Sequence, residues 1–220
     1  MRRKPNPEQR RRELCDVAIR LLAHDGVKGL SHLKVDRTAG LPDGTTSFYF
    51  RTRTALVNAA AARVAELDLK DLSSATAGSE QSEVSSPAWG LSNLVIRSAS
   101  GARLMRTKAR NELALQASRD GNLDEALSSY NEEFFALIRD VVIRLQPKGE
   151  PDPVLVDEQA YAVMTFISGV MLAFNRGDHR IRTAAELDVL ICGIVDGVGT
   201  AVRAANTPPA AKLRRPAPRS

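Results

Sequence analysis

Residues 35–56 read VDRTAGLPDGTTSFYFRTRTAL, and the order of small, turn-forming and aromatic residues in this stretch decides the fold. Val35 and Ala39 share one face of a short helix over 31–39, with Ser31 placed to cap it. Gly40 allows the left-handed backbone that ends this helix, and Leu41 plugs the space before the next one. The segment Leu41-Pro42-Asp43-Gly44 is the turn, and a further short helix follows over 44–50. Upstream, Leu14, Ala18, Leu21 and Leu22 fall on one helical face and predict a helix over 8–24. Short helices with a glycine-containing turn before the last one describe a helix-turn-helix, a motif that lays its final helix in the major groove of DNA.

Beyond this head the pattern stays helical. Helices are expected over 54–72, 87–100, 103–118, 123–146, 153–176 and 183–206, with Pro87 and Pro153 suited to first-turn positions. The polar run SSATAGSEQSEVSS, 73–86, is expected to be a flexible loop. The reading is all-α with about nine helices, in four segments. A basic arm occupies 1–7, the helix-turn-helix 8–53, a larger helical domain 54–206, and a disordered Pro-rich basic tail 207–220.

Charge is distributed unevenly. Residues 1–53 carry 12 Lys/Arg against 6 Asp/Glu, a balance of +6, whereas 54–206 carry 15 against 20, a balance of −5. A basic head on an acidic body suits a nucleic-acid reader, because neutralising phosphates supplies most non-specific affinity. The apolar stretch 160–175 has no charge, but its 16 residues fall short of the roughly 20 that a membrane span needs. No membrane association is expected, and with no secretory leader pattern the expected location is the cytoplasm. Cys15 and Cys192 offer neither a disulfide framework nor zinc spacing, and no metal or cofactor is expected. The histidines His24, His32 and His179 stand apart from one another and from carboxylate pairs, and no nucleophile elbow, phosphate loop or HExxH is present, so an enzyme is not expected.

The stretch 35–56 resembles the tetracycline-repressor (TetR) family of regulators, whose pattern there runs roughly I-A-x-x-A-G-V-S-x-G-T-L-Y-x-H-F-x-x-K-x-x-L. Gly40, Gly44, Thr45, Phe50 and Leu56 match identically, and Val35, Leu41 and Arg53 match in kind. The resemblance covers about 8–60. Ser47 stands where tyrosine is frequent, Leu33 where arginine is frequent, and Asp36 where a small alanine is usual. The resemblance implies a regulator, most simply a repressor released from a double-stranded operator by a small-molecule effector of unidentified structure.

Individual roles follow from side-chain chemistry. Thr45, Ser47 and Tyr49 offer hydroxyls suited to phosphate oxygens, and Ser31 brings helix N–H groups to a phosphate. Arg53, just past the reading helix, suits a phosphate clamp. Phe48 can sit on a thymine methyl or else pack with Phe50 in the core. Lys34, Arg37 and Gly44 complete the DNA-facing set, although Lys34 and Arg37 suit a solvated face equally well. In the body, the resemblance implies an effector pocket, for which Trp89, Met105, Phe134, Met164 and Met171 are apolar candidates and Asn93, Glu112, Gln116 and Asn175 polar ones. An apolar stripe along 187–202, with Gly193, Gly197 and Ala201 as a smooth seam, predicts a homodimer through Ile191, Gly193, Ile194, Gly197, Val198 and Ala201. The alternatives are a thiol-based redox sensor using Cys15 or Cys192, and a helical adaptor without DNA binding.

Overall fold

Asn6 opens the first helix, its side chain accepting from the Glu8 N–H at 2.7 Å, and Pro7 takes the first helical position where its missing donor costs nothing. The computed structural model describes residues 6–77, 86–147 and 152–206. The expected arm therefore ends earlier than 7, and its residues 1–5, like the tail 207–220, lie outside the described residues.

Nine helices follow in the described residues: α1 (Pro7–Gly29), α2 (His32–Ala39), α3 (Thr45–Tyr49), α4 (Arg53–Ala77), α5 (Trp89–Arg97), α6 (Gly101–Ala117), α7 (Gly121–Leu145), α8 (Pro153–Asn175) and α9 (Ala184–Asn206). The first run of α1 stops near its expected end at 24, because Gly26, at φ 65° and ψ −178°, breaks the helix; a short further turn to Gly29 follows across this kink and buries Val27. Helix α4 overruns into the expected loop. There Ser74 and Thr76 hydroxyls donate back to the Lys70 and Leu72 carbonyls at 2.8 and 3.1 Å, and Leu72 and Thr76 are buried. Helix α5 comes so close to this last turn that a Cβ on Gly90 would lie 1.9 Å from the Ala75 carbonyl oxygen. The later starts follow capping rules: Asp120 and Asp152 accept N–H bonds at α7 and α8, and Thr183 and Glu186 cap each other's N–H groups at α9.

Two apolar cores organise the chain. The first joins Leu14, Ala18 and Leu22 of α1 with Val35, Phe50, Leu56, Ala60 and Val64, and it also takes Ala109 and Leu113 of α6 and Leu123 of α7. The second packs Leu72, Leu91 and Val95 against Ile138 and Val142 of α7, Ala160, Val163 and Ile167 of α8, and Leu187, Ile191 and Val195 of α9. The head is thus not packed on its own: α1 lies chiefly along α6, and α4 contributes to both cores. Each fully buried leucine contributes about 1.5–3 kcal/mol of apolar burial.

Helix α8 is long and apolar enough to cross a membrane by length and composition. Its Val156, Ala160, Val163, Ile167, Val170 and Phe174 face the second core, as expected of a core helix.

Candidate nucleic-acid interface

A helix of five residues has no stability of its own, since nucleation alone outweighs so few hydrogen bonds. Helix α3 exists because its neighbours hold both its ends. Gly44 occupies the N-cap at φ 95°, a left-handed conformation that favours glycine, so the capping position carries no side chain to cap with. Asp36 of α2 supplies that cap instead. Its fully buried carboxylate accepts from the Gly44 N–H at 2.8 Å, from the Thr46 N–H at 2.7 Å and from the buried Thr46 hydroxyl. At the far end, Arg11 of α1 donates to the Tyr49 carbonyl at 2.7 Å with its guanidinium 4.5 Å over the Phe50 ring. His32 of α2 bonds the Phe50 carbonyl at 2.7 Å through Nε2, which then carries the proton.

Held in this way, α3 turns Ser47 and Phe48 to solvent. Phe48 is 79% exposed, while Phe50 is buried, so the core-packing alternative for Phe48 is overturned. Tyr49 is half-buried against the head's core and meets the Phe48 ring edge-on, with centroids 5.2 Å apart. Leu33 of α2 is 43% exposed, an apolar group on a polar surface.

The other head residues divide by what already holds them. Ser31 caps α2 by accepting from the Lys34 N–H at 3.3 Å, which leaves its hydroxyl proton to give. Thr45 donates its hydroxyl to the Pro42 carbonyl at 2.7 Å and so has no proton left for a phosphate. The Gly44 N–H is likewise committed to Asp36. Lys34 pairs with Asp25 at 2.6 Å and Arg37 with Asp43 at 3.6 Å, both on the surface, where such pairs are weak enough to be exchanged for a phosphate. Arg53 requires a correction. Its guanidinium donates to the Leu30 carbonyl at 3.1 Å and to the Val27 carbonyl, which also accepts the Leu30 N–H at 3.2 Å, and so closes the end of α1, where the partial negative charge of the carbonyls favours a cation. It is a helix-terminating group and not a free phosphate clamp.

Sequence reasoning missed Asp36, Arg11 and His32 as the frame of α3. The signal for Asp36 was present: a carboxylate where alanine is usual, upstream of a helix whose N-cap is glycine.

Three of the body residues stand apart from the rest. Trp89 and Asn93 face outward from α5, because the opposite face of this helix is buried through Leu91, Ser92 and Val95. Glu112 turns towards α1, where its Oε2 would lie 3.0 Å from a Cβ on Gly26. These three therefore do not meet in the body. Phe134 and Met171 pack on the second core, and Met171 Sδ lies 3.4 Å from Arg110 Nη2. Met105, Gln116 and Met164 are half-buried, and the Asn175 Oδ1 is buried without a hydrogen-bond partner. A cleft of about 610 Å³ opens elsewhere, between α1, α4 and α7, lined by Cys15, Phe50, Ala59, Ala62 and Tyr130 among others, and by none of the effector candidates. Burial pushes the Cys15 thiol up to about 11, and burial also raises that of Cys192, so neither is a ready thiolate. Among the described residues no group of three or more His, Cys, Asp or Glu side chains is placed to hold a metal.

Along α9 the apolar stripe splits in two. Leu187, Ile191 and Val195 are buried within the chain, so Ile191 belongs to the core and not to a dimer face; Ile194 also packs on that core. Gly193, Gly197 and Ala201 are exposed, with Val198 half-buried beside them, and a Cβ on either glycine would meet nothing within 4 Å.

A helix-turn-helix head carried on an α-helical body is an arrangement that solved structures can be compared with directly. No protein-family profile matches the chain, and no curated protein does. Solved structures do match along nearly the whole length. A TetR-family member from Streptomyces coelicolor is similar with TM-score 0.64 and 21% identity, covering 86% of this chain and 98% of that one. A transcriptional regulator from a Rhodococcus species gives TM-score 0.66 at 18% identity over 90% and 97%. The multidrug binding protein EbrR, complexed with ethidium, gives TM-score 0.60 at 22% identity over 87% and 99%. The chain has the all-helical TetR fold.

Proposed function

We propose that the chain is a sequence-specific DNA-binding transcriptional regulator, acting as a cytoplasmic homodimer that a small apolar effector releases from its operator. The observation that carries this reading is α3: a helix too short to stand alone, clamped at both ends, with Ser47 and the ring of Phe48 turned outward on a head of charge +6. An exposed aromatic ring costs solubility, and contact with a thymine methyl gives it a purpose. The shared fold supports the regulator class, and EbrR in complex with ethidium supports small-molecule control.

The effector site is proposed among Met105, Gln116, Phe134, Met164, Met171 and Asn175, on α6, α7 and α8. The orphaned Asn175 Oδ1 is suited to accept from a ligand donor. Because α4 contributes to both cores, a change of packing in the body reaches the head through it. A ligand shifts this equilibrium only by its different affinity for the two states.

Operator selection from random DNA with the purified chain tests the function. A dimer enriches an inverted repeat whose half-sites lie about one helical turn apart. Failure to enrich any sequence removes the DNA-reading role and leaves the adaptor alternative.

A further inference from the structure

We propose that Asp36 is a specificity-determining positioning residue, which locks the start of the reading helix onto α2 and so sets how Ser47 and Phe48 are presented to DNA. The proposal rests on the DNA-reading function proposed above and explains how this head carries it out.

The start of a helix presents unpaired N–H groups, and each one that is buried needs an acceptor within the protein. In α3 two of these donors, Gly44 N and Thr46 N, are bound to Asp36 at 2.8 and 2.7 Å. The third bond, from the Thr46 hydroxyl to the same carboxylate, lies wholly inside the protein, since Asp36 and Thr46 are both fully buried. A buried carboxylate is costly unless donors surround it, and here they do. The neighbouring charges do not compete for it: Arg37 pairs with Asp43, and Lys34 with Asp25.

Two consequences follow. First, the angle between α2 and α3 is fixed before DNA arrives, so Ser47 and Phe48 are presented at a set height and rotation. Second, the hydroxyl beside this helix start adds little sequence-independent grip, because Thr45 spends its proton on the Pro42 carbonyl. Backbone contacts position a protein on DNA but carry no sequence information, whereas base contacts do. The arrangement thus favours discrimination over general affinity.

The test uses Asp36→Ala, Asp36→Asn and Thr46→Val in the full chain. Each is titrated by fluorescence anisotropy on the operator selected by the wild type and on a scrambled duplex, over several salt concentrations. Thermal unfolding gives the folded fraction, and Asp36→Asn, which keeps one acceptor oxygen, serves if Asp36→Ala does not fold. A positioning role lowers the operator-to-scrambled affinity ratio by about tenfold in the Asp36 variants and by less in Thr46→Val, with scrambled binding held or strengthened. Equal weakening on both duplexes, in proportion to lost folded protein, makes Asp36 a purely structural cap and overturns the proposal, as does an unchanged ratio. If the wild type itself selects no operator, the DNA-reading function fails before any variant is measured, and this proposal fails with it.

Discussion

Phe48 and Arg53 leave the same short stretch of chain in opposite directions, one into solvent and one back onto the end of α1. Their substitutions should therefore fail differently. Phe48→Ala removes a ring that touches little of its own protein beyond the edge of Tyr49. It should cost about 1–3 kcal/mol on the preferred operator, leave scrambled DNA almost unaffected and keep the melting temperature. A sharp fall in melting temperature with an intact specificity ratio would contradict the exposed geometry. Arg53→Ala removes the cation from the Val27 and Leu30 carbonyls, of which Val27 keeps its Leu30 N–H bond, and should lower unfolding stability by about 1–2 kcal/mol, with the salt dependence of DNA binding unchanged. A salt slope reduced by about one would restore Arg53 as a phosphate contact. The exposure of Phe48 was one of two alternatives open in the sequence, because both roles suit an aromatic ring on a short helix. The fate of Arg53 was not legible. Spacing puts a cation beyond α3, but only the fold shows the end of α1 beside it.

At the scale of elements, α4 and α6 are tied by an ion-pair network that leaves few degrees of freedom between them. Arg106 Nε bonds Asp68 at 2.6 Å and Arg103 Nε bonds Asp71 at 3.1 Å, while Arg106 also reaches Asp71 and Arg110 reaches Asp68. Burial pushes the Asp71 carboxyl up, but the hydrogen bonds from Arg106 and Arg103 outweigh it and hold the group below its ordinary value. A depressed folded-state pKa stabilises the fold above the unfolded value of about 4, and the contribution disappears as pH falls through the folded value. Asp71→Asn should therefore lower stability by about 1–3 kcal/mol at pH 7, and the gap to the wild type should close below about pH 4. A gap that stays constant down to pH 2 would assign the loss to packing and not to charge. The two helices that carry this network were legible in the sequence as 54–72 and 103–118, and Pro153 marked the first turn of α8. Their ends were less so. The last turn of α4 looks like loop because Ser73, Ser74 and Thr76 are poor helix formers, and it is helical because Leu72 and Thr76 are buried and α5 packs close beside it, with the Ser74 and Thr76 hydroxyls satisfied on carbonyls one turn back.

For the whole molecule, the open question is what covers the outer faces of α8 and α9. Tyr161 and Leu172 are 63% and 50% exposed on α8, and Val189 and Leu190 are 70% and 42% exposed on α9. Beside them lie Gly193, Gly197 and Ala201, all exposed, and a Cβ on either glycine would meet nothing within 4 Å. Glycine within a helix costs about 1 kcal/mol against alanine, so two of them on an uncovered face point to close approach by another helix. The sequence marked this seam, but it also assigned Ile191 to the interface, because a stripe on one helix cannot reveal which half its own chain buries. A second copy packing α8 and α9 on themselves would form a twofold four-helix interface and bring two heads to one DNA molecule. Gly197→Arg and Ile191→Ala separate the two halves of the stripe. The arginine, placed where the chain itself leaves open space, should reduce the sedimenting dimer to monomer while the monomer's own unfolding changes little. The alanine, which empties part of the second core, should lower stability by about 2–4 kcal/mol, measured at a protein concentration where the dimer stays associated. A wild type that sediments as a monomer, or a Gly197→Arg variant that still dimerises, excludes this face as the interface, and the two heads would then need another way to meet their half-sites.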